Sequence, residues 1–256
     1  MFIDTHCHFD FPPFAGDEAT SLEQARQMGV EKIIVPTVNQ MNFQRVAVLA
    51  ENHPSIYAAF GLHPLYIREH QNAHLDALDQ RLKERSTKCV AVGEIGLDLY
   101  MPEPQFEKQK SVLEVQLKLA KQYDLPVILH SRKSHDQLAA ILRQHKLPCT
   151  GVIHGFAGSL SQARAFIRMG FYIGVGGTIT YDRAQKTRST ISQLPLSSLV
   201  LETDAPDMPL SGFQGQPNRP ERVAQVFSVL CGLRQESSDE IANQVYENSM
   251  ALFTLS

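Results

Sequence analysis

Eight short apolar runs punctuate the chain. They read FIDTH (2–6), KIIVPTV (32–38), SIYAAFGLH (55–63), CVAVGEIGLD (89–98), PVILH (126–130), TGVIHG (150–155), FYIGVGG (171–177) and LVLETD (199–204). They are continuous rather than alternating, as expected of strands covered on both faces in a parallel sheet. Segments with the helical apolar period separate them: 17–28, 42–52, 73–85, 104–123, 135–145, 159–169, 184–194 and 220–231, with a ninth at 237–253. Ser159 reads as a helix cap and Pro104 as a first-turn residue. Eight strand–helix units in 256 residues predict one (β/α)8 TIM barrel over residues 1–256, not an open doubly wound sheet. No G-x-G-x-x-G turn follows the first strand, which weighs against a dinucleotide fold. The Pro- and Gly-rich stretch 206–220 reads as a long loop after strand 8. The last helix carries Val245, Met250, Leu252 and Phe253, which suit either a cap on the barrel or a dimer face.

Composition narrows the class. Hydrophobic residues at 43% and charged residues at 20% exclude a disordered chain. A net charge of −3 excludes a surface that is basic all over. Four scattered cysteines without a C-x-x-C pair argue against a disulfide framework or a thiolate zinc site. The chain has no basic leader and no apolar run near the roughly 18 residues of a membrane span. A cytoplasmic address follows as the expectation, with neither a membrane nor an obligate protein partner.

The strand ends carry the chemistry. In order they present His6-Cys7-His8, His63, Glu94, His130, His154 and Glu202-Thr203-Asp204. A barrel brings these ends to one face, where active sites sit. His6 and His8 are two apart, so both face the mouth while Cys7 faces the helices. With Glu94, His130, His154 and Asp204 they make a nitrogen and oxygen set for Zn, Mn, Mg, Fe or Ni. Each residue alone has an ordinary explanation as a hydrogen-bonded core or loop group. Six together exceed the three protein ligands of one catalytic zinc. Two divalent ions sharing one carboxylate account for the excess. The expected division is His6, His8, Glu94 and Asp204 on one ion, and Glu94, His130 and His154 on the other. Asp204 doubles as general base toward a water whose pKa the ions lower.

The remaining candidates are weaker in kind. His63, in GLHP, either contacts a substrate oxygen or leaving group or is a structural loop residue. Arg132 leads the basic residues Arg68, Lys133, Arg183, Arg219 and Arg222 as a phosphate contact. Tyr100, Phe156, Tyr181 and Phe213 either stack bases or pack loops. His53, His70, His74, His135 and His145 read as solvated.

The motifs FIDTHCHFD, VPTV, GLHP, VGEIGLDLY, PVILHSR, IHGFAGS, ETDAP, Asn218-x-Pro220 and ENSMALF resemble the TatD family of metal-dependent hydrolases, and within it the YjjV-type branch. The resemblance runs from residue 2 to about residue 253. It implies an amidohydrolase-superfamily barrel with two divalent metals, carried over onto the same six residues. It also implies DNase activity, often 3′–5′ exonuclease on single strands. One branch is similar to enzymes that deacylate D-aminoacyl-tRNA. Departures at Gly155, Lys133-Ser134 and Arg219 fall in substrate-side loops and leave the six residues untouched. The expectation is therefore a phosphodiesterase in which Asp204, Glu94 and His63 act in catalysis and His63 and Arg132 hold substrate. The alternatives are hydrolysis of an ester or amide in a small molecule or D-aminoacyl-tRNA, and a non-catalytic metal-binding barrel, against which Asp204 argues.

Overall fold

The computed structural model describes residues 1–255. Its strands are β1 (Phe2–Asp4), β2 (Val30–Pro36), β3 (Ile56–Phe60), β4 (Cys89–Asp98), β5 (Val127–Arg132), β6 (Gly151–Ile153), β7 (Tyr172–Val175) and β8 (Leu199–Leu201). Each precedes a helix: α1 (Glu18–Gln27), α2 (Phe43–Asn52), α3 (Asn72–Lys83), α4 (Phe106–Gln122), α5 (His135–His145), α6 (Leu160–Arg168), α7 (Gln185–Ser192) and α8 (Val223–Leu233), with α9 (Ser238–Phe253) last. All seven strand pairings are parallel and follow chain order. The seam between first and last strands is closed by the loops beyond them. Thr5 N–H donates to Leu201 O at 3.0 Å, Asp204 N–H to His6 O at 2.8 Å and His8 N–H to Ala205 O at 2.7 Å. This is the (β/α)8 architecture that the spacing predicts.

Side-chain alternation divides the core. Ile33 and Val35, Val127 and Leu129, and Leu199 and Leu201 belong to the cluster under the helices, along with Cys7. Ile34, Ile128 and Val200, the residues between them, belong to a separate interior cluster. Leu252, Phe253 and Leu255 join that interior cluster. The last helix therefore caps the barrel, resolving the choice that its sequence leaves open.

Two local expectations need correction. The strands stop short of the sequence runs: β1 ends at Asp4, β3 at Phe60, β6 at Ile153 and β8 at Leu201. The polar residues that follow leave the ladder so that their side chains turn over the mouth; Asp204 adopts a left-handed φ of 58°. Pro104 lies outside α4, because Gln105 takes the left-handed φ of 48° and the Pro104 carbonyl accepts a bond from Gln109 Nε2 at 2.5 Å. Ser159 does cap α6, in a box with Gln162. The 206–220 loop is pinned by Asn218, whose amide donates to Thr203 O at 2.8 Å and Met208 O at 3.2 Å. Gly96 sits where a side chain is impossible: a Cβ there would meet His130 O at 2.0 Å. Among the described residues, no helix is long and apolar enough to cross a membrane.

Phe253 is 2% exposed within the interior cluster. Phe253→Ala is expected to cost about 3–5 kcal/mol of stability, read from the denaturant midpoint. A midpoint equal to wild type would show that the cap adds nothing to the barrel.

Candidate functional site

Glu94, 1% exposed, is the centre of the mouth. Its Oε2 lies 3.2 Å from His6 Nε2 and 3.4 Å from His8 Nε2. Its Oε1 lies 3.0 Å from His130 Nδ1, 2.7 Å from His154 Nε2 and 2.8 Å from His63 Nε2. Asp204 Oδ1 lies 3.4 Å from His6 Nε2 and 3.6 Å from His8 Nε2. The two histidines of β1's exit loop are themselves 3.3 Å apart at Nε2. His130 Nδ1 and His154 Nε2 are likewise 3.3 Å apart. The six residues expected from the strand ends are thus brought together.

Tetrahedral ligands about 2.0–2.1 Å from one ion lie around 3.3–3.4 Å from each other. The His6, His8, Glu94 Oε2 and Asp204 separations of 3.2–3.6 Å fit that spacing. His130, His154 and Glu94 Oε1 form a tighter second set. Glu94 offers one oxygen to each. Its Oε2 is buried without a hydrogen-bond partner, a cost that a cation would remove. The donors fit a pair of divalent ions.

Electrostatics agree. Burial would raise the Glu94 pKa, but the surrounding His63, His154 and His6 hold it well below the usual carboxylate range. Burial likewise opposes charge on His8, yet Glu94, Asp204 and Asp10 push it up to about 9. His154 is raised in the same way by Glu94 and Glu202. Burial moves Asp204 up to about 6. In the protein without ions, protons on imidazoles supply the positive charge that Glu94 demands.

An outer ring of carboxylates fixes the inner imidazoles. His130 Nε2 lies 2.8 Å from Asp98 Oδ2, and Asp98 Oδ1 accepts the N–H groups of Tyr100 and Met101 at 2.9 and 3.0 Å. That contact orients the ring so that Nδ1 faces Glu94 Oε1 at 3.0 Å. Glu202 is fully buried, accepts the Gly155 N–H and lies 3.8 Å from His154 Nδ1. Gly174 leaves its space: a Cβ there would come within 2.4 Å of Glu202 Oε2. His6 stacks on His154 at 3.9 Å. Asp4 accepts Thr203 N–H at 2.9 Å and Thr203 Oγ1–H at 2.6 Å, locking the two ends of the barrel behind the site. Sequence reasoning left Asp98, Glu202 and Asp4 without roles, although GLDLY, LVLETD and FIDTH contain them.

His63 is placed differently from an open loop residue. Its Nδ1 accepts Leu65 N–H at 3.0 Å, so Nε2 carries the proton and donates it to Glu94 Oε1. His70, expected in solvent, is 3% exposed and lies 2.8 Å from the His63 carbonyl through Nε2. His135 is also half-buried, edge-on to Phe156 at 5.1 Å. His70 lies in the loop before α3 and His135 opens α5; each meets a loop group that helical periodicity alone does not reveal. Phe156, 3% exposed, packs inside and offers no base a face. Phe213 is covered by Arg222 at 4.0 Å, and Tyr181 is tied to Pro209 O at 2.6 Å. Arg219 is held by Glu221, Ser21 and Gln24, and Arg68 by Glu103. Arg132 is exposed, 4.0 Å over the open ring of Tyr100. Two cavities flank the cluster and share His130, His154 and Asp204. One, of about 450 Å³, opens toward Tyr100, Arg132, Lys133 and Lys186. The other, of about 330 Å³, lies among Phe11, Leu65, Tyr66 and Pro206.

Glu202→Gln keeps the shape but loses the charge behind His154. Metal affinity is expected to fall about 10–100-fold in a calorimetric titration, with the circular dichroism spectrum unchanged. Unaltered affinity would remove Glu202 from any supporting role.

The comparisons with known proteins agree with this geometry. The family model described as "TatD related DNase" matches residues 3–254. The metal-dependent hydrolase YjjV of Escherichia coli strain K12 is 62% identical over 99% of this chain and 98% of its own length. The crystal structure of YjjV superposes with a TM-score of 0.98, covering 100% of this chain and 98% of the other. A Pantoea vagans protein named 3′-5′ ssDNA/RNA exonuclease TatD is 30% identical over 94% of this chain and 95% of its own. The phosphotriesterase homology protein of Escherichia coli, 14% identical with a TM-score of 0.74 over 98% of each chain, shares the barrel fold. By its sequence, its amidohydrolase-type TIM barrel and the cluster at its mouth, the chain belongs to the TatD family of metal-dependent hydrolases.

Proposed function

We propose that this chain is a dinuclear phosphodiesterase that shortens single-stranded nucleic acid. One observation carries the reading: Glu94 turns one oxygen to His6 and His8, which Asp204 also meets, and the other to His130 and His154, beside a cavity walled by three cations. In this reading His6, His8, Glu94 and Asp204 hold one ion, and Glu94, His130 and His154 the other. When bound, the ions supply Lewis acidity toward a phosphoryl oxygen and lower the pKa of the attacking water. Asp204 takes the proton of that water, from a backbone held by its bond to His6 O. His63 steadies Glu94 through Nε2–H, so that the shared carboxylate keeps one oxygen on each side. Arg132 binds a substrate phosphate. The name of the Pantoea vagans relative supports a nucleic-acid substrate. Four free cysteines are in keeping with work in the reducing cytoplasm.

A second reading has its own support. The smaller cavity combines apolar walls at Phe11, Leu65 and Pro206 with Asp207 at its rim, which also suits the side chain and ammonium of an aminoacyl ester, as in D-aminoacyl-tRNA, or a small-molecule ester or amide.

Chelated protein is expected to leave labelled single-stranded DNA intact and to shorten it stepwise once Mn²⁺ or Zn²⁺ is restored. Asp204→Asn is expected to lower kcat by about 10²–10⁴ while the protein still folds. Hydrolysis of aminoacyl esters with no action on any phosphodiester would transfer the assignment to the second reading.

A further inference from the structure

The two cavities beside Glu94 differ in charge. The larger has Arg132, Lys133 and Lys186 on its walls, and the Arg132 and Lys133 cations lie 4.0 and 4.4 Å from the centre of the Tyr100 ring. That ring is 53% exposed. The smaller has neither Lys nor Arg among the residues that line it; beyond the Glu94 cluster and its histidines, which also line it, its walls are Phe11, Pro12, Leu65, Tyr66 and Pro206, with Asp207 at the rim. The Tyr66 hydroxyl lies in the field of Glu69, Asp207 and Asp10, which add to burial in raising its pKa.

We propose that this asymmetry selects the strand end: the smaller cavity takes one terminal nucleoside bearing a free hydroxyl and turns away one bearing a phosphate. The inference rests on the phosphodiesterase reading above and names what that site accepts. A strand carries a negative charge at every nucleotide, so its body lies where the cations are. Tyr100, flanked by Arg132 and Lys133, offers a face for the first base of that body. About 330 Å³ is near the lower bound of small-ligand cavities and holds one unit rather than a run. The scissile phosphate then falls between the cavities, on Asp204, His130 and His154, which line both. A terminal phosphate would add roughly −1.5 to −2 charge next to Asp207 at the rim, where neither Lys nor Arg lines the cavity to meet it.

The experiment uses the Mn²⁺-loaded enzyme and four single-stranded DNAs of one sequence, ending in hydroxyl or phosphate at the 3′ end, or in hydroxyl or phosphate at the 5′ end. At the end attacked, kcat/KM is expected to be about 10–100-fold higher for the hydroxyl, the size of a like-charge clash at a binding surface. Asp207→Asn, an exposed change, is expected to narrow that ratio by accelerating the phosphate-ended strand. Lys186→Gln is expected to raise KM for both strands alike and leave the ratio unchanged. Equal rates at the attacked end, a preference for phosphate, or a ratio that Asp207→Asn leaves in place would overturn the proposal while the nuclease reading stands. No cleavage of any strand, with hydrolysis of a carboxyl ester instead, would overturn the nuclease reading itself.

Discussion

A carboxylate removed from water must find positive charge, and Glu94 is removed almost completely. Isolated, it would be very costly. Five imidazole nitrogens lie within 3.4 Å, and His8, His130 and His154, whose pKa values the surrounding carboxylates raise, supply the positive charge. The demand then propagates outward. Imidazoles that point a nitrogen at Glu94 need partners for the other nitrogen, and Asp98 and Glu202 stand behind His130 and His154. Glycines at 96 and 174 open the space that these groups occupy. The centre is layered by charge: acid, then imidazole, then acid.

The barrel separates this layered centre from the fold's own stability. The interior between the strands is apolar and closed by Leu252, Phe253 and Leu255. The site's polar residues lie on the mouth-side halves of β4 and β5 and in the loops that follow β1, β3, β6 and β8. Loops from β1, β2, β3 and β8 build one cavity, and loops from β5, β6 and β7 most of the other. The side of the cluster that carries Lys and Arg and the side that lacks them thus come from different parts of the chain.

The architecture and the inner residues were legible because each rests on a local pattern. Continuous apolar runs mark strands, and a polar residue at the end of each run can point only at the mouth. The outer carboxylates were not legible in that way. Asp98 sits on the strand beside His130, and Glu202 meets His154 only across β7, so their roles depend on distances between elements. His70 and His135 were misread because their polar surroundings look solvated in sequence, whereas the His63 carbonyl meets one and Phe156 the other in the fold. Phe156 and Tyr100 are both loop aromatics on paper; only packing against His135 and Phe166 buries the former.

The seam of the barrel ties residues at opposite ends of the chain. Thr5 Oγ1–H reaches Leu201 O across 196 positions, and Asp4 meets Thr203 across 199. Contacts so distant in sequence form late, because closing so large a loop costs entropy before any contact repays it. On a ribosome, His6 and His8 emerge first and wait without Asp204, while β8 is still to be made. A chain stopped before residue 204 therefore holds five of the six inner residues but lacks Asp204. Selection on the last fifth of the sequence acts directly on chemistry that begins at residue 6.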